Sequence, residues 1–331
     1  MKSLRNLEYK IGISRAELKQ LASSAASYYH PFTTEKKSLP FPRRVKSSKP
    51  RKIDNPADQL KRTQRLINKY VLGAFPLPTY MFGGVSGKTV VDNVTCHLGA
   101  QVLVTIDVRS FFPSVTHHMV FSVWRDFLGF SPELSHLLTK LTTFGGHLPQ
   151  GAPTSAMLAN LVLHRHDVVL RDECRRLGIT YTTWIDDLAF SGENTRTIIP
   201  VVIRELGKAG FKIARKKLVV AGPGSRKVIN GILLNRVPSV LPEKIRQLRS
   251  GIHKLATREV PSHHLKRYVS SLAARIDYYH RINPERCARV ATQFNDVISQ
   301  MSLNRLVQKG LSFRASGSSV ALKGLRSPRR D

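Results

Sequence analysis

Two adjacent acids, Asp186 and Asp187, interrupt the strand-like run Ile179–Ser191 in a chain that has few acids to spare. Carboxylates inside an apolar strand cost several kcal/mol unless donors or cations meet them, so the fold must bring partners to this point. A third acid, Asp107, stands near the end of another β-branched run, QVLVTIDV at 101–108, bounded by Gly99 and the turn before Pro113. Neighbouring strands of one sheet would bring Asp107 and Asp186 together, and clustered carboxylates suit hard divalent cations. Two such ions about 3.5–4 Å apart stabilise the attacking and leaving oxygens of phosphoryl transfer. On spacing alone, a plain Asp-Asp turn between two strands is an equal reading.

The charge balance narrows the partners. Among 331 residues, 53 Lys plus Arg face 22 Asp plus Glu, a formal net charge of +31, while 41% of the chain is apolar. That apolar share supports a folded core, which excludes a disordered basic tail. A folded surface this positive attracts polyanions, nucleic acid first among them. Its longest apolar runs, such as Ile232-Leu233-Leu234, are far too short to span a bilayer, so no membrane partner is expected. The N-terminal segment has no apolar core or small-residue cleavage site, which makes the cytoplasm the expected location. Cys96, Cys174 and Cys287 are far apart and lack paired ligand spacing, so they read as reduced thiols.

The periodicity predicts a helix over 13–30, an extended basic arm or hairpin between Pro31 and Pro56, and a helix over 57–73. A strand over 101–108 and a helix start at Ser131-Pro132-Glu133 follow. One long helix is expected from Pro153 to about Leu177, ending at Gly178. Beyond the acid-bearing strands come a helix over 198–210, strands over 211–220 and 227–235, basic helices over 242–312 and a loose tail from Ser316. Strand, helix, paired strands, helix, strand make a split βαβ layout, an antiparallel sheet with helices on one face.

Five stretches then resemble, in order, the motifs of reverse transcriptases, most nearly the prokaryotic retron type. They are TIDVRSFFPSV at 105–115, LPQGAPTSAMLAN at 148–160, YTTWIDDLAFS at 181–191, GFKIARKK at 210–217 and VINGILLN at 228–235, and the likeness covers about 50–235. It implies an α+β right-hand polymerase with fingers, palm and helical thumb. Asp107 and Asp186 would be the principal ligands of two Mg2+ ions, with Mn2+ as a substitute, and Asp187 would help hold the site. Phe112 would be a steric gate against the ribonucleotide 2′-hydroxyl. Gln150 and Gly151 would meet the incoming dNTP. Lys49 and Arg51 would grip its triphosphate, and Lys217, or its neighbour Lys216, would lie near the leaving pyrophosphate.

Retron-type enzymes commonly carry an NAxxH element and a VTG element, which here read Asn93-Val94-Thr95-Cys96-His97 and Ile229-Asn230-Gly231. Asn93, His97, Asn230, Gly231 and Trp184 are therefore candidates for contact with RNA or primer, although Trp184 and Ile185 replace the family's usual tyrosine and alanine. The resemblance implies fingers at 1–98 and 118–147, palm at 99–117 and 148–238, thumb at 239–312 and a basic tail at 313–331. It further implies a structured noncoding RNA as template and primer source, an RNA-DNA hybrid product, RNA-linked single-stranded DNA, and an effector protein in anti-phage defence. Rival readings are a group II intron-like or stand-alone defence enzyme, and a non-catalytic RNA-binding scaffold. No RNase H or nuclease domain is expected in the short segment after residue 235.

Some features stand outside these motifs. Gly83-Gly84-Val85-Ser86-Gly87-Lys88-Thr89 hints at a P-loop, but its spacing is one residue short and no strand precedes it. His164 and His166 point to different helix faces and read as surface or phosphate-facing residues, not a metal pair. Tyr268, Tyr278 and Tyr279 among thumb cations suit either RNA stacking or an amphipathic core.

Overall fold

The computed structural model describes residues 3–34, 50–234 and 236–301, with the backbone alone of 312–316 and 319–323. They fall into two compact units, one ending at Asn230 and the other beginning at Gly231.

In the first unit, α1 (Leu4–Ile11) starts on the Ser3 cap and stops at Gly12, whose φ is 67°. Ser14 caps α2 (Arg15–Ser23), which is shorter than the expected helix over 13–30. The correction has a tertiary cause, because Tyr29 opens β1 (Tyr29–Thr34), antiparallel to β2 (Arg51–Pro56). The Tyr29 hydroxyl accepts a 2.9 Å hydrogen bond from the buried Gln64 amide of α3 (Asp58–Tyr70). The described ends of the basic arm thus form the hairpin alternative. The short α4 (Val90–Thr95) is fixed by a reciprocal capping box between Thr89 and Asp92.

A four-stranded sheet organises the rest of this unit. Between β3 (Leu103–Asp107) and its next strand lie α5 (Phe111–Ser114), α6 (His117–Ser122), α7 (Pro132–Thr142), α8 (Ser155–His166) and α9 (Val168–Arg176). Then come β4 (Thr180–Trp184), β5 (Asp187–Ser191), α10 (Ile198–Lys208), β6 (Val219–Ala221) and β7 (Lys227–Ile229). The order is β4-β5-β3-β6 and each pairing is antiparallel, as the split βαβ reading requires. Val104, Ile106, Leu188 and Phe190 are buried in one cluster with Leu158 and Val162 of α8 and Val202 and Leu206 of α10. At about 1.5–3 kcal/mol per buried side chain, this packing sets the sheet face against its helices.

Two expectations are corrected here. The long helix over 153–177 breaks at Asp167, a fully buried carboxylate that takes hydrogen bonds from Tyr80, Tyr181 and Arg171. The strand over 211–220 shrinks to β6, because a single helical turn at Arg215–Lys217 bends the chain and carries Lys217 towards Asp107. His164 and His166 are half-buried: His164 Nδ1 lies 2.9 Å from the Tyr80 hydroxyl, and His166 packs edge-on to Phe211.

The second unit holds the antiparallel pair β8 (Ile232–Leu234) and β9 (Pro238–Val240), then α11 (Pro242–Ala256), α12 (Ser262–Ile282) and α13 (Pro284–Gln300). Leu248, Leu272, Ile276 and Phe294 are buried among these helices. Tyr268 belongs to this core, its hydroxyl donating to Gly251 O at 3.2 Å, whereas Tyr278 is 45% exposed. Residues 302–311 of the expected helical span lie outside the described residues. The tail is corrected from loose to paired at β10 (Ser312–Ser316) and β11 (Ser319–Lys323). Among the described residues no helix is long and apolar enough to cross a membrane.

Candidate active site

Sheet register brings the three acids together. Asp107 ends β3, Asp187 begins β5, and the two are Cα partners. Trp184 pairs with Asp187 across β4 and β5, so the hairpin loop contains only Ile185 and Asp186. Val108 N donates to Asp186 O at 2.9 Å and Ala214 N donates to Asp107 O at 2.8 Å, fixing the backbone on both sides. Burial pushes the Asp186 carboxyl above its usual range, with the Asp107 charge adding to the rise and its own backbone N–H, Lys217 and Arg51 opposing it. Asp187 is likewise pushed up, by burial first and then by the charges of Asp186 and Asp107, although water reaches it from one side. The Lys217 ammonium meets Asp107 Oδ2 at 2.5 Å.

The loop that carries Asp186 is strained and supported from beneath. Ile185 has φ of +60°, a left-handed conformation that costs a β-branched residue about 1–3 kcal/mol. Against it lies Gly83, where a Cβ would come within 2.7 Å of Ile185 N and Cγ1 and 2.8 Å of Trp184 C. Only glycine permits that approach. The segment is pinned to β4 by Thr183 N donating to Tyr80 O and Phe82 N donating to Thr183 O, both at 2.9 Å. Asn160 of α8 donates to Gly83 O at 2.8 Å, and the Lys88 ammonium donates to Thr79 O and Met81 O at 2.7 and 2.8 Å. Of the glycines that hinted at a P-loop, Gly83 thus lies against the acid-bearing turn, and Lys88 closes their own loop instead of facing a phosphate.

On the nucleotide side, Phe112 sits half-buried in α5, five residues after Asp107 and edge-on to Phe111. Gln150 and Gly151 form a turn held by β2: Asp54 N donates to Gln150 O at 2.9 Å, and Gln150 N donates to Asp54 Oδ2 at 3.3 Å. Gly151 has φ of +136°, and a Cβ there would meet Ile53 Cγ2 at 3.0 Å. Asp54, 3% exposed, was not singled out from the sequence; its signal was an acid directly after Ile53 in a strongly basic arm. Arg51 is exposed on the same strand and its charge acts on Asp186. Lys49 lies outside the described residues.

The candidates for RNA or primer contact divide. Trp184 is half-buried beside the acid pair, and Asn230 and Gly231 take φ of +49° and +79° between β7 and β8. Asn93 and His97 are each 1% exposed, so in this structure their side chains are enclosed by protein rather than presented at the surface. His97 bridges both hairpin strands, 2.7 Å from Ser191 Oγ and 2.7 Å from Thr182 Oγ1, and burial lowers its pKa to about 4. Asn93 Nδ2 donates to Asn230 Oδ1 at 2.8 Å.

Among the described residues no group of three or more His, Cys, Asp or Glu side chains is gathered tightly enough to hold a metal ion. Asp107 has the Lys217 ammonium as its counter-charge. The donor chemistry nonetheless suits a hard divalent cation, since carboxylate oxygens stand at adjacent sheet positions and two of the acids lack positive charge sufficient to keep their pKa values low.

The sequence matches the family described as reverse transcriptase (RNA-dependent DNA polymerase) over residues 35–229. It is 28% identical over 259 residues to the retron Ec86 reverse transcriptase of Escherichia coli, covering 77% of this chain and 78% of that one. With the retron Se72 reverse transcriptase of Salmonella heidelberg it shares 26% identity over 276 residues, 80% of this chain and 71% of that one. Among solved structures, telomerase from Candida albicans in complex with a fragment of telomeric RNA aligns with 88% of this chain and 69% of its own at a TM-score of 0.45 and 8% identity, too distant to bear on function. The chain belongs to the reverse transcriptase family, RNA-directed DNA polymerases that bind an RNA template and depend on a divalent metal, and its resemblance within that family is to the retron type.

Proposed function

We propose that this enzyme copies a structured noncoding RNA, its template and primer source, into single-stranded DNA that stays joined to the RNA through a 2′-hydroxyl, and that it acts with an effector protein in anti-phage defence. The observation that carries this reading is identity with retron reverse transcriptases over most of the chain. Fingers at 1–98 and 118–147, palm at 99–117 and 148–238 and thumb at 239–312 are the corresponding parts.

For the chemistry, Asp107 and Asp186 would hold two Mg2+ ions, or Mn2+ in their place, with Asp187 beside them. Such ions supply charge stabilisation at the attacking and leaving oxygens. In each addition the primer hydroxyl oxygen bonds to the α-phosphorus of a dNTP, and the bond from that phosphorus to the bridging oxygen breaks. Pyrophosphate leaves and the hydroxyl proton passes to water. Lys217, once released from Asp107, would meet the charge gathering on pyrophosphate. Arg51 and Lys49 would grip the triphosphate, as cations suit phosphate oxygens. Gln150 and Gly151 would seat the nucleotide, and the Phe112 ring would leave no room for a 2′-hydroxyl.

The test is to purify the protein from its host and sequence the nucleic acid that accompanies it, before and after RNase and DNase treatment. One defined DNA covalently joined to one RNA is the expected result. Heterogeneous RNA without DNA would overturn the retron reading, and a templated incorporation assay would then separate another reverse transcriptase from a scaffold.

A further inference from the structure

Asn93 lies deep in the protein, yet its hydrogen bonds lead to the acid cluster. Its Nδ2 donates to Asn230 Oδ1 at 2.8 Å, and Asn230 Nδ2 donates to Asp187 Oδ2 at 3.2 Å. The direction of this chain is set at its far end. An ionised carboxylate only accepts, so Asn230 must offer Asp187 its NH2 group; its carbonyl then faces Asn93, which must offer NH2 in turn. Asn93 pays for that orientation with an orphan, since its Oδ1 is buried without a hydrogen-bond partner. Such an unmet acceptor costs about 1–3 kcal/mol and is kept where another interaction requires it.

Both ends of the relay are built to stay in place. Asn93 sits in α4 between the Thr89–Asp92 capping box and His97, which is tied to Thr182 of β4 and Ser191 of β5. Asn230 occupies a left-handed position, φ +49°, which asparagine tolerates better than most residues. We propose that Asn93 is a positioning residue for polymerisation: it orients the Asn230 amide, which in turn fixes the Asp187 carboxylate that cooperates with Asp107 and Asp186. The Asn93 and His97 element then serves the active site from inside, His97 holding the hairpin and Asn93 aiming one of its acids. Groups in this relation to a metal-binding carboxylate typically change metal affinity or activity by about 10–100-fold when removed.

The inference rests on the reading of Asp187 as part of the polymerase site, which Asp186→Asn, assayed in parallel, tests separately. The experiment uses the full chain with an RNA template annealed to a DNA primer. Asn93→Ala, Asn230→Gly and the double variant are compared for single-nucleotide incorporation, Mn2+ binding by electron paramagnetic resonance, primer–template affinity by fluorescence anisotropy, and melting temperature. Asn230→Gly keeps the left-handed backbone while deleting the amide, so it carries the test if Asn93→Ala fails to fold. Each single change is expected to lower kcat roughly tenfold and weaken Mn2+ binding several-fold with primer–template affinity within about twofold, and the double variant should match the worse single one. Loss of primer–template affinity with Mn2+ binding intact would make these residues nucleic-acid contacts and overturn the proposal. Multiplying effects in the double variant, or an unchanged Mn2+ curve in Asn230→Gly, would overturn it equally.

Discussion

Two groups of acid chemistry, one packed against the sheet through Tyr181 and one at its strand ends, are treated in opposite ways. At the break between α8 and α9, Asp167 has a fully buried side chain met by three donors: Tyr80 Oη at 3.0 Å, Tyr181 Oη at 3.2 Å and Arg171 Nε at 2.8 Å. Burial still raises its pKa to about 6 against the pull of Arg171 and the hydroxyls. At the strand ends, Asp107, Asp186 and Asp187 crowd like charges together with Lys217, Asn230 and one backbone N–H as their principal donors. An acid satisfied from within is a joint of the structure, whereas acids gathered beyond the reach of their own donors have the chemistry that suits a hard external cation.

The largest expected effect breaks the comparison at its catalytic side. Asp186→Asn should abolish templated synthesis by roughly a thousandfold or more, several kcal/mol of transition-state stabilisation, while the melting temperature does not fall because a repulsive charge has gone. Primer extension and a thermal melt on the same preparation check both halves. The opposite pattern is expected at the joint. Asp167→Ala strands the Arg171 charge and two tyrosine hydroxyls, and should cost about 3–5 kcal/mol of stability by denaturant titration while leaving kcat per folded molecule within about threefold. Should Asp186→Asn destabilise the fold as Asp167→Ala does, the distinction between the two sites would collapse.

Why one group was legible in the sequence and the other was not follows from where their partners come from. Asp107 and the Asp186–Asp187 pair sit inside continuous strand-like runs, and a two-residue loop plus a period of two suffices to set them side by side. Asp167 takes its donors from Tyr80 and Tyr181, far away along the chain, so the helical pattern ran through it unbroken. The role of Gly83 was hidden for the same reason: spacing excludes a P-loop there, but the close approach that requires a glycine shows only once the opposing turn is known. Asn93 and His97 could be picked out as a pair, but nothing local shows that both are buried.

His97 adds a third kind of buried group, a titratable ring among neutral hydroxyls, and its pH dependence sharpens the contrast with the acids. Its folded pKa is depressed to about 4 from a usual 6.5, because burial disfavours the imidazolium. Between those values the unfolded chain binds a proton that the folded chain does not, so stability is full above pH 6.5 and drains away as the pH falls towards 4. The loss should approach about 3 kcal/mol, at 1.36 kcal/mol per unit. Denaturant titrations across that window, compared with His97→Gln, measure it; the variant should lose this part of the slope.

The smallest effect probes the support under the catalytic loop. Ala at position 83 would place its Cβ 2.7 Å from Ile185 N, and the atom it meets is backbone, so the loop must move to make room. A shift of several tenths of an ångström at Asp186 should lower kcat roughly tenfold, about 1.4 kcal/mol, in a protein that still melts cooperatively. Gly207→Ala in α10 is the matched comparison, for its added Cβ meets nothing within 4 Å. There the change should raise stability by up to about 1 kcal/mol and leave kcat alone, since it removes backbone freedom from the unfolded chain. Equal kcat in the two variants would mean that the left-handed Ile185 is held by the hairpin itself, and that Gly83 fills space beneath the loop without aiming the acid above it.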